Sequence, residues 1–295
     1  MKYWDRAWSL VGGCSPCSPG CEHCWAASWA HRFIREGAPG HTSGVLTDER
    51  GRFNGAVVPR QDRLDIPLHR KKPTVYCIWN DLFHEDVPDE FRVQACEVMA
   101  KCEQHTFLVL TKRASEMSRF WVTEHSKFNS AGNVWHGLTV CNQEEAYNKL
   151  SGWSISVPGK KFISIEPMLG PVSLDDADPE WWCSGRIDAV ILGGETGHGA
   201  RPMHPDWVRS VRDQCAAVGV PFLFKQWGRY CAVSQMSEDA YRSWDFWHGT
   251  ESCWKADDPR WRMGSKKAGR LLDGRTHDDM PWRISGREFI FGTHR

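Results

Sequence analysis

Seven short apolar runs separated by helical segments constrain this chain more than any other feature. The runs Trp8–Gly12, Thr74–Asn80, Thr106–Thr111, Val134–Val140, Lys161–Glu166, Ala189–Gly194 and Pro221–Gln226 read as strands. They are rich in β-branched and aromatic residues, as strands buried on both faces must be. Helices are expected at Cys24–Ile34, Pro88–Cys102, Asn142–Leu150 and Pro205–Val218, the last with Asp206 near its start and Gly219 at its stop. Alternating β and α units imply a parallel sheet with right-handed crossovers. The expectation is an α/β fold: a full or partial parallel β/α (TIM-like) barrel of six to seven units rather than a doubly wound sheet. Residues 37–72, rich in Gly, Pro and charge, yield no element. After Gly228 the rhythm stops, so residues 1–228 are read as the barrel and 229–295 as a C-terminal extension packed on it. That extension carries Trp244, Trp247, Trp254, Trp261 and Trp282.

In a parallel β/α barrel, ligands bind at the C-terminal ends of the strands. The first run leads into Gly13 and Cys14-Ser-Pro-Cys17-Ser-Pro-Gly-Cys21-Glu-His-Cys24. The others end at Asn80-Asp81, Lys112-Arg113, Cys141-Asn142, Glu166-Pro167, Gly193-Gly194-Glu195 and Lys225-Gln226. Charges abutting apolar runs, as at Glu166, Glu195, Lys112 and Lys225, are partly desolvated and need a partner or a ligand.

Four of the 12 cysteines fall in that first loop. No apolar segment at the N-terminus has the length of a signal peptide, and no run is long enough to span a membrane. A reducing cytoplasm is therefore expected, where clustered thiols point to metal or redox chemistry rather than disulfides. Cys17, Cys21 and Cys24 have CxxxCxxC spacing, and Cys14, Cys21 and Cys24 have CxxxxxxCxxC. Three thiolates suit a [4Fe-4S] cluster with one open iron; four suit a saturated cluster or a closed zinc site. Of the dispersed cysteines only Cys141 falls on the rim. Basic and acidic residues balance at 37 each, which excludes a protein that coats nucleic acid by bulk charge but not one with a local basic groove.

The CxxxCxxC loop after the first strand of such a barrel resembles the radical S-adenosylmethionine superfamily. The likeness extends to a phage and bacterial branch of it through Gly13-Cys14 to Ala26, Asp81–Pro88, Leu110–Arg113, Ser164–Pro171, Gly193–Met203, Phe222–Gly228 and Gly269–Arg275. The branch's pattern has Tyr where this chain has Trp25. The resemblance implies Cys14, Cys21 and Cys24 as ligands of a [4Fe-4S] cluster. Cys17, at a position commonly apolar in relatives, is the alternative first ligand. It also implies S-adenosylmethionine as cofactor, reductively cleaved to a 5′-deoxyadenosyl radical, and an external one-electron reductant, since the chain has no second cysteine cluster. By their place on the rim, Lys112 or Arg113 would meet the methionine carboxylate. Asn80, Asp81 or Glu166 would meet its amino group or the ribose, and Gly193 and Gly194 would admit the adenosine with Glu195 behind them. Cys141, Glu166, Glu195 and Lys225 are the catalytic candidates, Cys141 as a hydrogen donor.

Relatives in phages resemble enzymes of thymidine hypermodification, in which an N-linked glycyl group on thymine is isomerised to the C-linked form. DNA carrying a modified thymine is the expected partner. His69-Arg-Lys-Lys72, Lys266-Lys-Ala-Gly-Arg270 and the tail tryptophans are the residues available to hold it. Lesion repair, tRNA modification and a non-catalytic zinc- or cluster-binding module are the alternatives.

Overall fold

The structure is a computed structural model that describes residues 2–32, 46–123, 132–177, 179–182, 185–242 and 260–283. In chain order its elements are β1 (Arg6–Ala7), β2 (Val11–Gly13), α1 (Trp25–Arg32), β3 (Val57–Pro59), β4 (Val75–Ile78), α2 (Asp89–Lys101), β5 (Thr106–Thr111) and α3 (Ala114–Val122). There follow β6 (Val134–Thr139), α4 (Gln143–Ser156), β7 (Lys160–Ile165), α5 (Leu174–Ala177), α6 (Pro179–Trp182), β8 (Ala189–Gly193), α7 (Pro205–Val218) and β9 (Phe222–Gln226). The tail adds β10 (Tyr230–Ala232), α8 (Glu238–Arg242), β11 (Arg260–Arg262) and α9 (Ser265–Ala268).

Seven strands form one parallel sheet in the order β1-β4-β5-β6-β7-β8-β9. It is a curled half-barrel flanked by helices. Period-two alternation sorts its side chains. Cys77, Leu108, Trp135, Phe162, Ile191 and Leu223 belong to a cluster on the concave face. Their neighbours Tyr76, Phe107, Ile163, Val190 and Phe224 join a larger core with the apolar faces of α2, α3, α4 and α7. Both faces of the central strands are thus buried, which is why these runs lack polar alternation.

The first strand differs from expectation. Only Arg6–Ala7 joins the sheet, beside β4, while Val11–Gly13 leaves it to pair antiparallel with β3. Gly13 has φ of 79°, and a Cβ there would collide with the carbonyl of Ala56, so only glycine fits where this ribbon runs into the cysteine loop. Trp8, fully buried, pins the crossing with its indole N–H donated to the Arg63 carbonyl at 2.7 Å. The cysteine loop is therefore delivered by a two-stranded ribbon. Helix α3 is missing from the sequence-based reading. Helix α4 runs past the expected end because buried Trp153 carries it through Gly152, donating to Met117 Sδ at 3.1 Å.

The described part of the tail holds elements that its sequence did not announce. β10 and β11 pair antiparallel, and the chain then descends along β9, with Trp227 N donating to Gly269 O and Phe224 N to His277 O. This stretch carries Trp282, which packs on Tyr3, Trp135 and Phe162 and closes the lower end of the concave face. Trp244, Trp247 and Trp254 lie outside the described residues. Among the described residues no helix is long and apolar enough to cross a membrane.

Candidate active site at the cysteine loop

At the C-terminal edge of the sheet a cleft is lined by Cys14, Cys17, Cys21 and Cys24 together with Trp79, Asn80, Asp81, Thr139, Lys112 and Arg113. All four cysteines are free thiols; Cys17 is exposed and the other three are half-buried. Ser18 starts the short turn Pro19–Cys21 by accepting from Gly20 N at 3.2 Å. The thiol of Cys17 hydrogen-bonds to Cys21. That bond pushes the Cys17 pKa up and the Cys21 pKa down. Burial, reinforced by Asp81, pushes Cys14 up to about 11. Burial alone would lower Lys112, but the sulfurs of Cys21, Cys141, Cys24 and Cys17 outweigh it and hold its ammonium firmly charged.

Two arginines strap the loop to the sheet. Arg113, buried at the end of β5, donates to Asp81 Oδ2 at 2.8 Å, Glu85 Oε2 at 2.6 Å, Ser15 O at 2.9 Å and Ser15 Oγ at 2.8 Å. It also lies 3.8 Å from Cys14 Sγ. His84 Nδ1 accepts from Asp86 N, so its Nε2–H donates to Ser15 Oγ at 2.7 Å. Asp81 is itself held by Thr111 Oγ1 at 2.6 Å and by Phe83 N. On the other side Arg201 pairs with buried Glu195, its Nη2 2.6 Å from Oε1 and its Nε 2.9 Å from Oε2. The same guanidinium reaches Pro19 O and Glu22 Oε2, each at 2.9 Å. Arg113 and Asp81 thus spend their polar atoms on protein, and Glu195 spends its own on Arg201.

The remaining candidates do not line this cleft. Cys141 is fully buried under the loop, its Sγ 3.7 Å from Ser18 Oγ and directly below Gly20. Glu166 and Lys225 form an ion pair of 2.7 Å on the concave side, with Lys225 Nζ 5.5 Å from the centre of the Tyr3 ring. The glycines serve the chain's own packing: a Cβ on Gly193 would press on the Glu166 carboxylate, and one on Gly194 would strike the Trp227 carbonyl. Ser15, His84, Glu85 and Arg201 are functional neighbours that residue-type reasoning missed. The available signal was the motif stretches themselves, since His84 and Glu85 lie in Asp81–Pro88 and Arg201 in Gly193–Met203.

The two basic runs fall on opposite edges. His69–Lys72 precedes β4 and so lies at the N-terminal edge, away from the cleft. Lys266 and Lys267 lie in α9 near Trp227, at the edge that carries the cleft, with exposed Arg262 close by in β11.

Fold and site together define an α/β protein with a thiol-lined, cation-bearing cleft at the C-terminal edge of a parallel half-barrel. Residues 1–281 match the model of a family described as "Protein of unknown function (DUF5131)", and the chain belongs to that family. No curated protein and no solved structure matched the chain.

Whether the cleft suits a metal cluster is a matter of its donors. Among the described residues no three His, Cys, Asp or Glu side chains already converge as metal ligands. The donor chemistry nevertheless fits: soft thiols share one cleft with the half-buried ammonium of Lys112, and a nearby cation stabilises thiolates. Two lining residues, Trp79 and Asn80, also present a buried indole N–H and amide oxygen with no protein partner. Such orphaned groups are costly unless a ligand satisfies them.

Proposed function

We propose that this chain is a radical S-adenosylmethionine enzyme built on a partial β/α (TIM-like) barrel of six to seven units and working in the cytoplasm. Its substrate is a modified thymine in phage DNA, and its reaction is the isomerisation of N-linked glycylthymidine to the C-linked form. The observation that carries the reading is the meeting of Cys14, Cys21 and Cys24 with the charged Lys112 and the orphaned groups of Trp79 and Asn80 in one cleft.

Cys14, Cys21 and Cys24 would hold a [4Fe-4S] cluster, with exposed Cys17 as a spare thiol beside it. When bound, the cluster and S-adenosylmethionine supply one-electron cleavage chemistry and a species that abstracts hydrogen. Lys112, with no carboxylate partner among the described residues, faces an anionic group such as the methionine carboxylate. Asn80 Oδ1 accepts from an ammonium or hydroxyl, and Trp79 Nε1 donates to the ligand. Lys225 and Glu166 offer the substrate's glycyl group a cation and an anion. Lys266, Lys267 and Arg262 stand at the right edge to steer a DNA backbone.

Anaerobic reconstitution with iron and sulfide, followed by reduction and S-adenosylmethionine, tests the reading. The expected result is a brown protein that forms methionine and 5′-deoxyadenosine and converts glycylthymidine-containing DNA, the isomers being separated by chromatography because their masses are equal. A protein that takes up only zinc and never cleaves the cofactor overturns it in favour of a four-thiolate zinc module, for which Cys17 supplies the fourth ligand. Cys14→Ala should abolish cluster retention and Cys17→Ala should not; equal losses would refute the choice of Cys14.

A further inference from the structure

We infer that Arg201 is a positioning residue for the second half of the cysteine loop, acting independently of Arg113, which positions the first half. The guanidinium of Arg201 bonds to three residues on two separate pieces of chain. It is anchored by two bonds to the Glu195 carboxylate at the end of β8, and its remaining N–H groups hold Pro19 O and Glu22 Oε2, which flank Cys21. Arg201 N adds a third bond to Glu195 Oε2 at 2.8 Å, so the backbone that carries the side chain is fixed by the same carboxylate. A guanidinium is suited to this task because its planar fork can satisfy a carboxylate and still present donors in other directions.

The packing around the turn points the same way. Gly199, at φ of 75°, brings the backbone so close to the His23 imidazole that a Cβ there would come within 2.7 Å of the ring. The 195–201 segment therefore meets the loop at Pro19, Glu22 and His23, all on the Cys21–Cys24 side. Arg113, by contrast, directs its hydrogen bonds in the loop to Ser15 and Cys14 and is anchored on Asp81 and Glu85. The two straps share no bonded residue. Between their contact points lies Cys17, the exposed thiol.

The consequence is a loop whose thiols are held in two separately fixed halves before any metal arrives. The inference concerns the polypeptide itself and stands whether the ligand is a cluster or zinc. Only its effect on metal uptake rests on the function proposed above.

The test uses the full-length chain, as purified and after chelation, with Arg201→Met and Arg113→Met as the central pair. The readouts are iodoacetamide labelling of each cysteine followed by mass spectrometry, and amide hydrogen exchange at Gly20, Cys21, Glu22, His23 and Cys24. Losing charge-assisted hydrogen bonds should accelerate labelling of Cys21 and Cys24 and exchange at 20–24 by roughly tenfold in Arg201→Met, with Cys14 unchanged. Arg113→Met should do the reverse. Arg201→Lys, which keeps the charge but loses the fork, should fall between. If either methionine variant fails to fold, Glu22→Gln and Ser15→Ala weaken one contact of each strap and should show the same split on a smaller scale. Equal acceleration in both halves, or none in either, overturns the inference. Failure of wild-type reconstitution with a preserved split would instead overturn the proposed function alone.

Discussion

Gly20 sits where the cysteine loop rests on the sheet, and replacing it by alanine measures how closely the two are fitted. An ideal Cβ at this position lies 2.5 Å from Cys141 Sγ and 3.0 Å from Pro167 Cδ. Ordinary van der Waals contact requires about 3.5–4 Å, so the neighbours would have to yield by roughly an ångström. Cys141 has little room to do so: it is fully buried, its N–H is held by Glu145 Oε2 at 2.8 Å, and its carbonyl accepts from Leu169 N at 2.7 Å. Overpacking of this kind costs about 1–3 kcal/mol. Cys141→Ala alone removes one buried heavy atom and should cost about 1 kcal/mol, as single-methyl deletions do. The double variant places the new methyl in the space the sulfur vacates, so its total cost should also be about 1 kcal/mol rather than the additive ~2–4 kcal/mol. Equilibrium urea unfolding of the reduced, metal-free chain, read as the midpoint at constant slope, resolves a coupling of that size. Costs that add to within about 0.5 kcal/mol would mean that the loop is not seated on Cys141, and the geometry of the cleft derived from that contact would fall with it.

Two further outcomes follow from the core. His136 is buried against Trp121, and burial, reinforced by Lys161, lowers its pKa to about 3. The unfolded chain, with an ordinary histidine near 6.5, then binds a proton that the folded chain refuses. Stability should therefore be lost as pH falls from about 6.5 towards 3, by up to about 1.4 kcal/mol per pH unit, and His136→Phe should flatten that slope in urea titrations run at pH 7, 6 and 5. Trp282→Ala removes a side chain that is 6% exposed, wedged among Tyr3, Trp135 and Phe162, and bonded to Tyr3 O at 3.0 Å. It should cost about 3–5 kcal/mol in the same assay; a value below about 1 kcal/mol would show that the tail does not seal the concave face.

The strands β4 to β9 were legible because each is largely buried on both faces, which leaves an apolar run with polar residues mainly at its rim end. The first strand was misplaced for a local reason. Trp8–Gly12 is as apolar as the others, but the chain leaves β4 after Trp8 and Leu10 already bonds to Arg60 beside β3, and nothing in a hydrophobic run reports such a change of partner. Helix α4 outran its reading because Ser151-Gly152 looks like a stop, whereas the burial of Trp153 is a tertiary effect. At the site, the thiols and Lys112 could be placed by their residue type. The duties of Arg113, Glu195 and the paired glycines could not, because each is defined by a partner far away in sequence: Ser15 for Arg113, Glu22 for the Glu195–Arg201 pair, and Trp227 for Gly194.

Balanced net charge turns out to say little about the cleft, because the balance is struck locally and unevenly. Arg113 is matched by Asp81 and Glu85, and Arg201 by Glu195 and Glu22, so both arginines and all four carboxylates are consumed in fixing the loop. Lys112 is left among sulfurs with no carboxylate partner among the described residues. The interior of the half-barrel is sealed below by Tyr3 and Trp282, and the edge of β9 is covered by the descending tail. The open side of the half-barrel is therefore its rim, where the Lys112 ammonium stands beside the sulfurs and helps to lower the pKa of Cys21. Low local dielectric magnifies that single charge well beyond its weight in the total of the chain. Lys112→Met should therefore raise the pKa of Cys21, read as a rightward shift in the pH dependence of its iodoacetamide labelling; an unchanged profile would show that the ammonium does not act on the loop.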